Sequence, residues 1–509
     1  MKKDKDKTIN DVRESSLKNS ENDKWDNSRK KPDNDLRESS LKNSENDEWD
    51  NSRKKPDNDL RESSLKNSEN DKSENSRKKP DNDLRESSLK NSNNDKSENS
   101  LNNSCGISSD CDKTQNGHND GSKCPLGGNK GILGKLFTQK RNFLFILPVL
   151  AVIMYFLAKS NRDIAEKVFA RGIYRVYGEI FSRISDILPF SLAELLITLF
   201  IIFVPTMLIL GVVRIIRVKV NKASVRIFKL LSMLRDILLT IGILLFWFMI
   251  GCGTNYYRYE FTEYSGLTVE NATVEELAGL YRELLTKTVE ARRATGASET
   301  AVFSSKMSFS ERADAASDAM SRIGELYDVL DRYYPDPKPV AGSWFMSYFG
   351  ISGVYSPFTV EANVNFCVPD YTKGFDMCHE LSHLSGFMRE DEANYLGYLA
   401  CINSDNPELI YSGYSAALVH VGNKLYEADS DLYFSIRELY PKGLNADLAA
   451  NNEFWTQFRK TEVGAALSNA GKNINNAYLK ANGVSDGTSS YGRFADLLLA
   501  EYRQRGKKQ

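Results

Sequence analysis

The sequence predicts a mostly α chain in three parts: a disordered tail of repeats (residues 1–130), a membrane region with three helices (131–254), and an α+β extracytoplasmic domain with a small sheet (255–509). Three observations lead there. Residues 1–100 hold only twelve hydrophobic residues. Three uncharged apolar runs then fall within 112 residues. The remaining 255 residues mix helical periodicity with one β-rich stretch, and are enough for one sizeable domain. Over the whole chain 67 Lys+Arg meet 68 Asp+Glu, so no nucleic-acid partner is expected. Seven cysteines are too few for a disulfide-built scaffold.

The tail is an internal repeat. Val12-Arg13-Glu14-Ser15-Ser16 returns at Leu36-Arg37, Leu60-Arg61 and Leu84-Arg85, a period of 24 residues. Each unit carries two or three apolar residues, such as Leu17 and Trp25, and a turn signal at Lys31-Pro32-Asp33. Stacked units would share no continuous core, and 24 Lys+Arg against 25 Asp+Glu in the first hundred residues favour a solvated, disordered chain. Lys2 to Asp6 are charged and no apolar core follows, so no signal-peptide pattern opens the sequence. Cys105, Cys111, Cys124 and His118 fit no zinc-finger spacing.

The spans are read at 143–158, 195–213 and 237–254, because a hydrocarbon core needs about 20 residues of helix. Basic residues orient them. Lys130, Lys135, Lys140 and Arg141 precede the first; Arg214, Arg217, Lys219, Lys222, Arg226, Lys229 and Arg235 lie between the second and third. Both segments are expected in the cytoplasm, which puts the N-terminus inside and the C-terminal domain outside. The loop between the first two spans balances its charges and is expected to carry an amphipathic helix through Ile173, Val176, Ile180 and Ile184 at the lipid interface.

In the domain, Val274–Ala294 has helical periodicity through Leu277, Leu280, Leu284, Leu285 and Val289, and Ser308–Tyr334 is a second long amphipathic stretch. Val354–Val368, with Pro357 and the β-branched Thr359 and Val360, is expected to be an edge strand. Asp391–Arg503 reads as mostly helical. Cys367, Cys378 and Cys401 leave at least one domain thiol unpaired.

The chemistry is concentrated in His379-Glu380-Leu381-Ser382-His383. Residues four apart share a helix face, so both imidazoles can reach one metal ion, with Glu380 beside it to take a proton from a bound water. A zinc ion (Zn2+) needs a third protein ligand and leaves its fourth position to that water. The third ligand is expected from Glu390-Asp391-Glu392-Ala393-Asn394. On an unbroken helix Glu390 would stand about 16 Å along the axis from His379. The chain must therefore turn near Gly386 and bring a second helix back. Glu390 is the first choice, Glu392 its competitor, and Asn394 a partner for a ligand histidine's second nitrogen. Arg389 stands where a third histidine would sit in a metzincin, and arginine cannot ligate. Cys378 points about 100° away from its neighbour His379 and is not expected to ligate. Tyr411, Tyr414, His420, Tyr491 and Arg493 are candidate donors to a transition-state oxyanion.

These motifs resemble the gluzincin-type zincin metallopeptidases: HExxH, then a glutamate on a following helix in an ExxAD-like pattern, here with Asn394 where aspartate is usual. More closely, the sequence is similar to the family of bacterial membrane proteins termed domain of unknown function 3810. The matching stretches are Pro189-Phe190-Ser191-Leu192-Ala193-Glu194, Asn255-Tyr256-Tyr257-Arg258, Gly350 to Tyr355, Pro357-Phe358-Thr359, Glu361 to Asn365, the metal motif, Tyr411 to Tyr414, and Ser490-Tyr491-Gly492-Arg493. They run from about residue 140 to the C-terminus. The resemblance implies a zincin-like α+β domain and a membrane-anchored zinc peptidase of undefined substrate. In such a fold, Tyr355–Asn365 is placed to pair with an extended peptide. The expected partners are therefore the lipid bilayer and a peptide or membrane-proximal protein. Two other readings stay open: a catalytically inactive zinc-binding membrane sensor or scaffold, and a cell-wall amide hydrolase.

Overall fold

The computed structural model describes Leu136 and residues 139–219 and 222–507. The repeats and the expectations made for residues 1–130 lie outside them. What is described is mostly helical, with one three-stranded sheet.

Three helices are long and apolar enough to cross a membrane. The first is α1 (Ile146–Ser160), continued upstream by one tighter turn to Lys140. The stretch between spans is helical throughout: a π-helical segment, Ile164–Tyr174, runs into α2 (Arg175–Asp186). Next come α3 (Leu192–Ile216) and α4 (Ala223–Gly251). The third span was expected to end at residue 254. Instead α4 stops at Gly251, because Cys252, Gly253 and Thr254 are buried in a tight turn that already belongs to the domain. It also begins well before residue 237, carrying Arg226, Lys229 and Arg235 on its first turns.

The domain helices are α5 (Val274–Ala294), α6 (Phe309–Leu326), α7 (Ser343–Tyr348), α8 (Asp370–Leu384), α9 (Glu390–Ile402), α10 (Pro407–Ala428), α11 (Ser430–Arg437), α12 (Lys442–Gln457), α13 (Glu462–Ala481) and α14 (Phe494–Gly506). The bounds of α5 match its apolar periodicity, and a capping box of Thr273 and Glu276 closes its first turn. Helix α6 ends eight residues before the expected Tyr334. The chain turns at Tyr327 and folds Leu330 and Tyr334 back into the core, so the apolar period outlasts the helix. The centre of the domain is α5, α8, α9 and α10, packed through Leu280, Leu284, Leu381, Leu396, Leu418 and Val421, all buried.

The sheet orders its strands β1–β3–β2, with β1 (Lys338–Pro339) parallel to β3 (Glu361–Val364) and β2 (Gly353–Ser356) antiparallel to it. The stretch expected to form a single edge strand is thus a hairpin. Pro357 removes a ladder donor and Val360 takes a positive φ of 55°, so the chain reverses between them. β2 is an edge, while β3 is central and buried along its length.

The stretch between the first two spans packs against the domain. Glu166 and Arg258 form a buried two-pronged ion pair, with both N–O distances 3.0 Å. The Arg258 guanidinium also stacks on Phe387, 4.1 Å from its ring centre. Tyr174, fully buried, donates its hydroxyl proton to the Leu384 carbonyl at 2.7 Å, satisfying an orphan acceptor at the end of α8. A boundary at residue 254 cuts through these contacts. Of the cysteines, Cys252 joins Cys367, Cys378 and Cys401 in the domain, and all four are free thiols.

Removing one member of a buried pair leaves the other uncompensated, at about 3–5 kcal/mol, whereas replacing both with apolar residues costs much less. Glu166→Ala in the full chain should therefore lower the unfolding midpoint in detergent sharply. Glu166→Ala/Arg258→Met should recover most of the loss. Equal losses in the two variants would mean that Arg258 acts through its stacking on Phe387 and not through its charge.

Candidate metal centre

Helix α8 presents His379 and His383 on one face, their rings edge to face with centres 4.7 Å apart. It ends at Leu384, and Gly386 takes φ 96°, a left-handed conformation that L side chains avoid. This residue turns the chain, and α9 starts four residues later with Glu390 in its first turn. Glu390 Oε2 then lies 3.3 Å from His379 Nε2 and 3.6 Å from His383 Nε2. Among the described residues, these three alone form a cluster able to hold a metal ion, with ligand atoms within 4.8 Å of one another.

The spacing can be tested against a metal. Two ligand atoms each about 2.1 Å from a tetrahedral zinc stand about 3.4 Å apart. The two measured separations meet that figure. The donor set, two imidazoles and one carboxylate, is one that zinc takes in catalytic sites. The ring orientation of His383 agrees as well: its Nδ1 is 2.9 Å from the Phe387 carbonyl, which can only accept, so Nδ1 carries a proton and Nε2 is the nitrogen turned toward Glu390.

The first turn of α9 carries three buried acids, and each has its own destination. Glu390 faces the histidines. Asp391 pairs with Arg493 Nε at 2.7 Å. Glu392 Oε1 accepts the Phe261 backbone N–H at 2.6 Å, away from the centre, so the competitor for third ligand is turned elsewhere. Burial, and then Asp391, push the Glu392 carboxyl up to about 8. Burial also raises Glu390, but His383 and His379 outweigh it and hold its carboxyl well below the usual range. Opposing burial, Glu390 and Glu380 raise His383 to about 9. The second partner expected of Asn394 is not seen: its Nδ2 is buried without a hydrogen bond, as is His379 Nδ1. His383 finds a backbone carbonyl instead, which no spacing rule could single out.

Glu380 lies between the histidines, whose charges act on it, and the sheet. It is buried, its Oε2 lacks a hydrogen-bond partner, and desolvation pushes its carboxyl up to about 7 against the pull of His379 and His383. Its neighbour is Gly353 at the start of β2. A Cβ there would lie 2.4 Å from Glu380 Oε1 and 2.7 Å from its Cγ, so only glycine leaves the carboxylate its place.

Of the five candidate oxyanion donors, the structure brings two to the centre. The Tyr491 hydroxyl interacts with Glu390 and accepts from Asn475 Nδ2 at 3.3 Å; burial and Glu390 hold the phenol well above its usual pKa. The His420 ring packs on Phe494 within reach of the His379 charge, and burial lowers it to about 4, leaving it neutral. Tyr411 donates to Asp447 in a separate buried cluster with Arg292. Tyr414 packs against Tyr398, and Arg493 is held by Asp391 and Asp486. Asp376, one turn before His379 and half-buried, with an Oδ2 that lacks a hydrogen bond, is the site neighbour that sequence reasoning missed; its place three residues before His379 on the same face was the available signal.

A family model matches residues 169–499. The chain belongs to the family described as Protein of unknown function (DUF3810). The match opens inside the π-helical segment between the first two spans, so the DUF3810 unit includes Tyr174 and its bond to α8 as well as the whole metal cluster. It is narrower than the resemblance read from the motifs, which began near residue 140. No curated protein and no solved structure matches the chain.

A residue with a Cβ in the left-handed region costs about 1–2 kcal/mol. At Gly386 a Cβ would also lie 2.9 Å from Arg258 Nη1 and 3.1 Å from the Tyr174 ring. Gly386→Ala should lower stability by at least that much, read from the unfolding midpoint. An unchanged midpoint would show that this turn does not set the path from α8 to α9.

Proposed function

We propose that this chain is a membrane-anchored zinc metallopeptidase with a zincin-like domain, hydrolysing peptide bonds outside the cytoplasmic membrane. The observation that carries the reading is the convergence of His379, His383 and Glu390, with the Glu390 oxygen at separations from both rings that suit a tetrahedral ion, and with Glu380, its Oε2 unpartnered, close enough to feel both histidines. His379, His383 and Glu390 would hold the zinc, which supplies Lewis acidity toward a water and toward the scissile carbonyl. Glu380 acts as general base, taking the proton of the attacking water at its free carboxylate oxygen and delivering it to the leaving amine. Tyr491 is the first choice for a hydroxyl donor to the developing oxyanion, with His420 behind it. The extended substrate pairs with the open edge of β2, whose first residue touches Glu380. That placement refines the expectation for residues 355–365, since β3 is enclosed between its neighbours.

The basic residues flanking the spans support a cytoplasmic N-terminus and an external domain. Because the domain is tied to the spans through Glu166, Tyr174 and Cys252, substrates are membrane-proximal proteins or peptides.

Metal analysis of the purified full chain tests the ligand set. Wild type should bind about one zinc per chain. His383→Ala and Glu390→Gln should lose most of it, and Glu392→Gln should keep it. Retention by Glu390→Gln with loss by Glu392→Gln would reverse the assignment. Glu380→Gln should keep zinc and lose hydrolysis of an unstructured peptide mixture followed by mass spectrometry, by about 100-fold or more. An active Glu380→Gln would remove the assigned base; a wild type that binds zinc and cleaves nothing would favour the scaffold reading.

Gly353→Ala should behave like Glu380→Gln. Zinc content should stay near wild type while the rate falls by a comparable factor, because the new methyl displaces the base and leaves the ligands alone. A Gly353→Ala chain as active as wild type would show that the position of Glu380 is not fixed by β2.

A further inference from the structure

We propose that the face of the domain surrounding the domain-side end of α3 is immersed in lipid, with α2 and α7 lying in the headgroup region of that leaflet. This inference rests on the three spans and is independent of the metal chemistry.

Depth is set by α3. Its 25 residues measure about 37 Å, against a hydrocarbon core of about 30 Å. Its first turn therefore stands at the edge of the acyl region. That turn is locked to the domain from both sides. The Glu361 carboxylate of β3 accepts from Leu192 N at 3.0 Å and Ala193 N at 2.7 Å. Glu194, in the same turn, accepts from Ala341 N at 2.8 Å and Gly342 N at 2.7 Å, directly before α7. Helix α7 thus lies level with the first turn of α3 and cannot rise from the membrane without breaking these bonds.

The side chains at that level are the wrong ones for water. Trp344 and Phe345 of α7 are 61% and 58% exposed. On the approach to α3, Ile187 is 79% exposed, with Phe190 and Ile184 beside it. Val176, Ile180 and Ile184 continue the apolar line along α2, four residues apart, while an adjoining face of that helix packs Tyr177 and Phe181 against Trp247 of α4 and the opposite face is buried through Gly178, Ser182 and Ser185. A contiguous apolar patch of this kind marks an interaction surface, and a tryptophan beside a span end suits the interfacial layer. The patch is continuous with the exposed apolar surface of α3, which already faces lipid, so lipid is the occupant that needs no second boundary. Helix α7 runs through Gly350 into β2, so the strand beside Glu380 starts at the leaflet surface.

Trp344 is the reporter. The full chain is placed in single-copy lipid nanodiscs, with acyl chains brominated or not, and Trp344→Phe is compared with wild type; the change keeps the residue aromatic and apolar. Emission quenched by the brominated chains should fall by about half in Trp344→Phe, with Trp247 supplying the remainder. Emission quenched by aqueous iodide should not change. If the Trp344 contribution is quenched by iodide and not by bromine, α7 stands in water and the proposal fails. If it is shielded from both, another protein surface covers the patch, and the proposal fails as well.

Discussion

Two imidazoles on one helix cannot by themselves complete a tetrahedral centre, and the reversal between α8 and α9 brings a carboxylate up to both of them. Helix α8 has to stop within one turn of His383, and α9 has to return at a distance where a carboxylate oxygen stands 3.3–3.6 Å from both ring nitrogens. Gly386 makes the reversal possible. It also places three acids in the first turn of a helix that is buried almost throughout. Burying three like charges together is costly unless each is neutralised. The positive end of the α9 dipole favours all three, and each then has its own counterpart: the histidines for Glu390, Arg493 for Asp391, a backbone N–H and an elevated carboxyl pKa for Glu392. This division of partners distinguishes Glu390, the proposed ligand, from the acids one and two residues further on.

The second constraint comes from the membrane side. The last turn of α8 leaves carbonyls unsatisfied, and the hydroxyl that meets one of them belongs to Tyr174, in the stretch between two spans. Arg258 stacks on Phe387 in the α8–α9 turn while pairing with Glu166 in the same stretch. The α8–α9 turn is therefore braced by the stretch that lies between the first two spans. A soluble fragment starting at residue 255 would lack Tyr174 and Glu166, and would leave Arg258 and the end of α8 uncompensated.

Sequence reading succeeded where the determinant is local. The spans follow from uncharged length, α5 from its apolar period, and the turn at Gly386 from the arithmetic of helix rise. Glu390 could be ranked above Glu392 by its helix face but not separated from it. The distinction lies in Phe261, 131 residues away, whose N–H draws Glu392 aside. The hairpin was read as one strand because Val360 is β-branched yet holds a turn conformation that only its complete burial sustains. Tyr491 could not be chosen over Tyr411 or Tyr414, since all three are tyrosines wholly or partly removed from solvent and only the chain path decides which one meets Glu390.

What favours the proposed hydrolytic reading over a structural site is the treatment of Glu380. A structural zinc site closes its fourth position and gives its surroundings no reason to hold an unpaired carboxylate. Such a group buried without a partner is destabilising, and a neutral residue would serve the fold better. Instead the sheet gives up a side chain at Gly353 to leave room for it, and does so on the edge strand, where an extended backbone has access. The same stretch descends from α7 at the membrane face. Under the proposed reading, base, substrate edge and leaflet are thus successive positions along one segment, and a chain emerging from the bilayer beside α3 would meet the open edge of β2 before it met any other part of the domain.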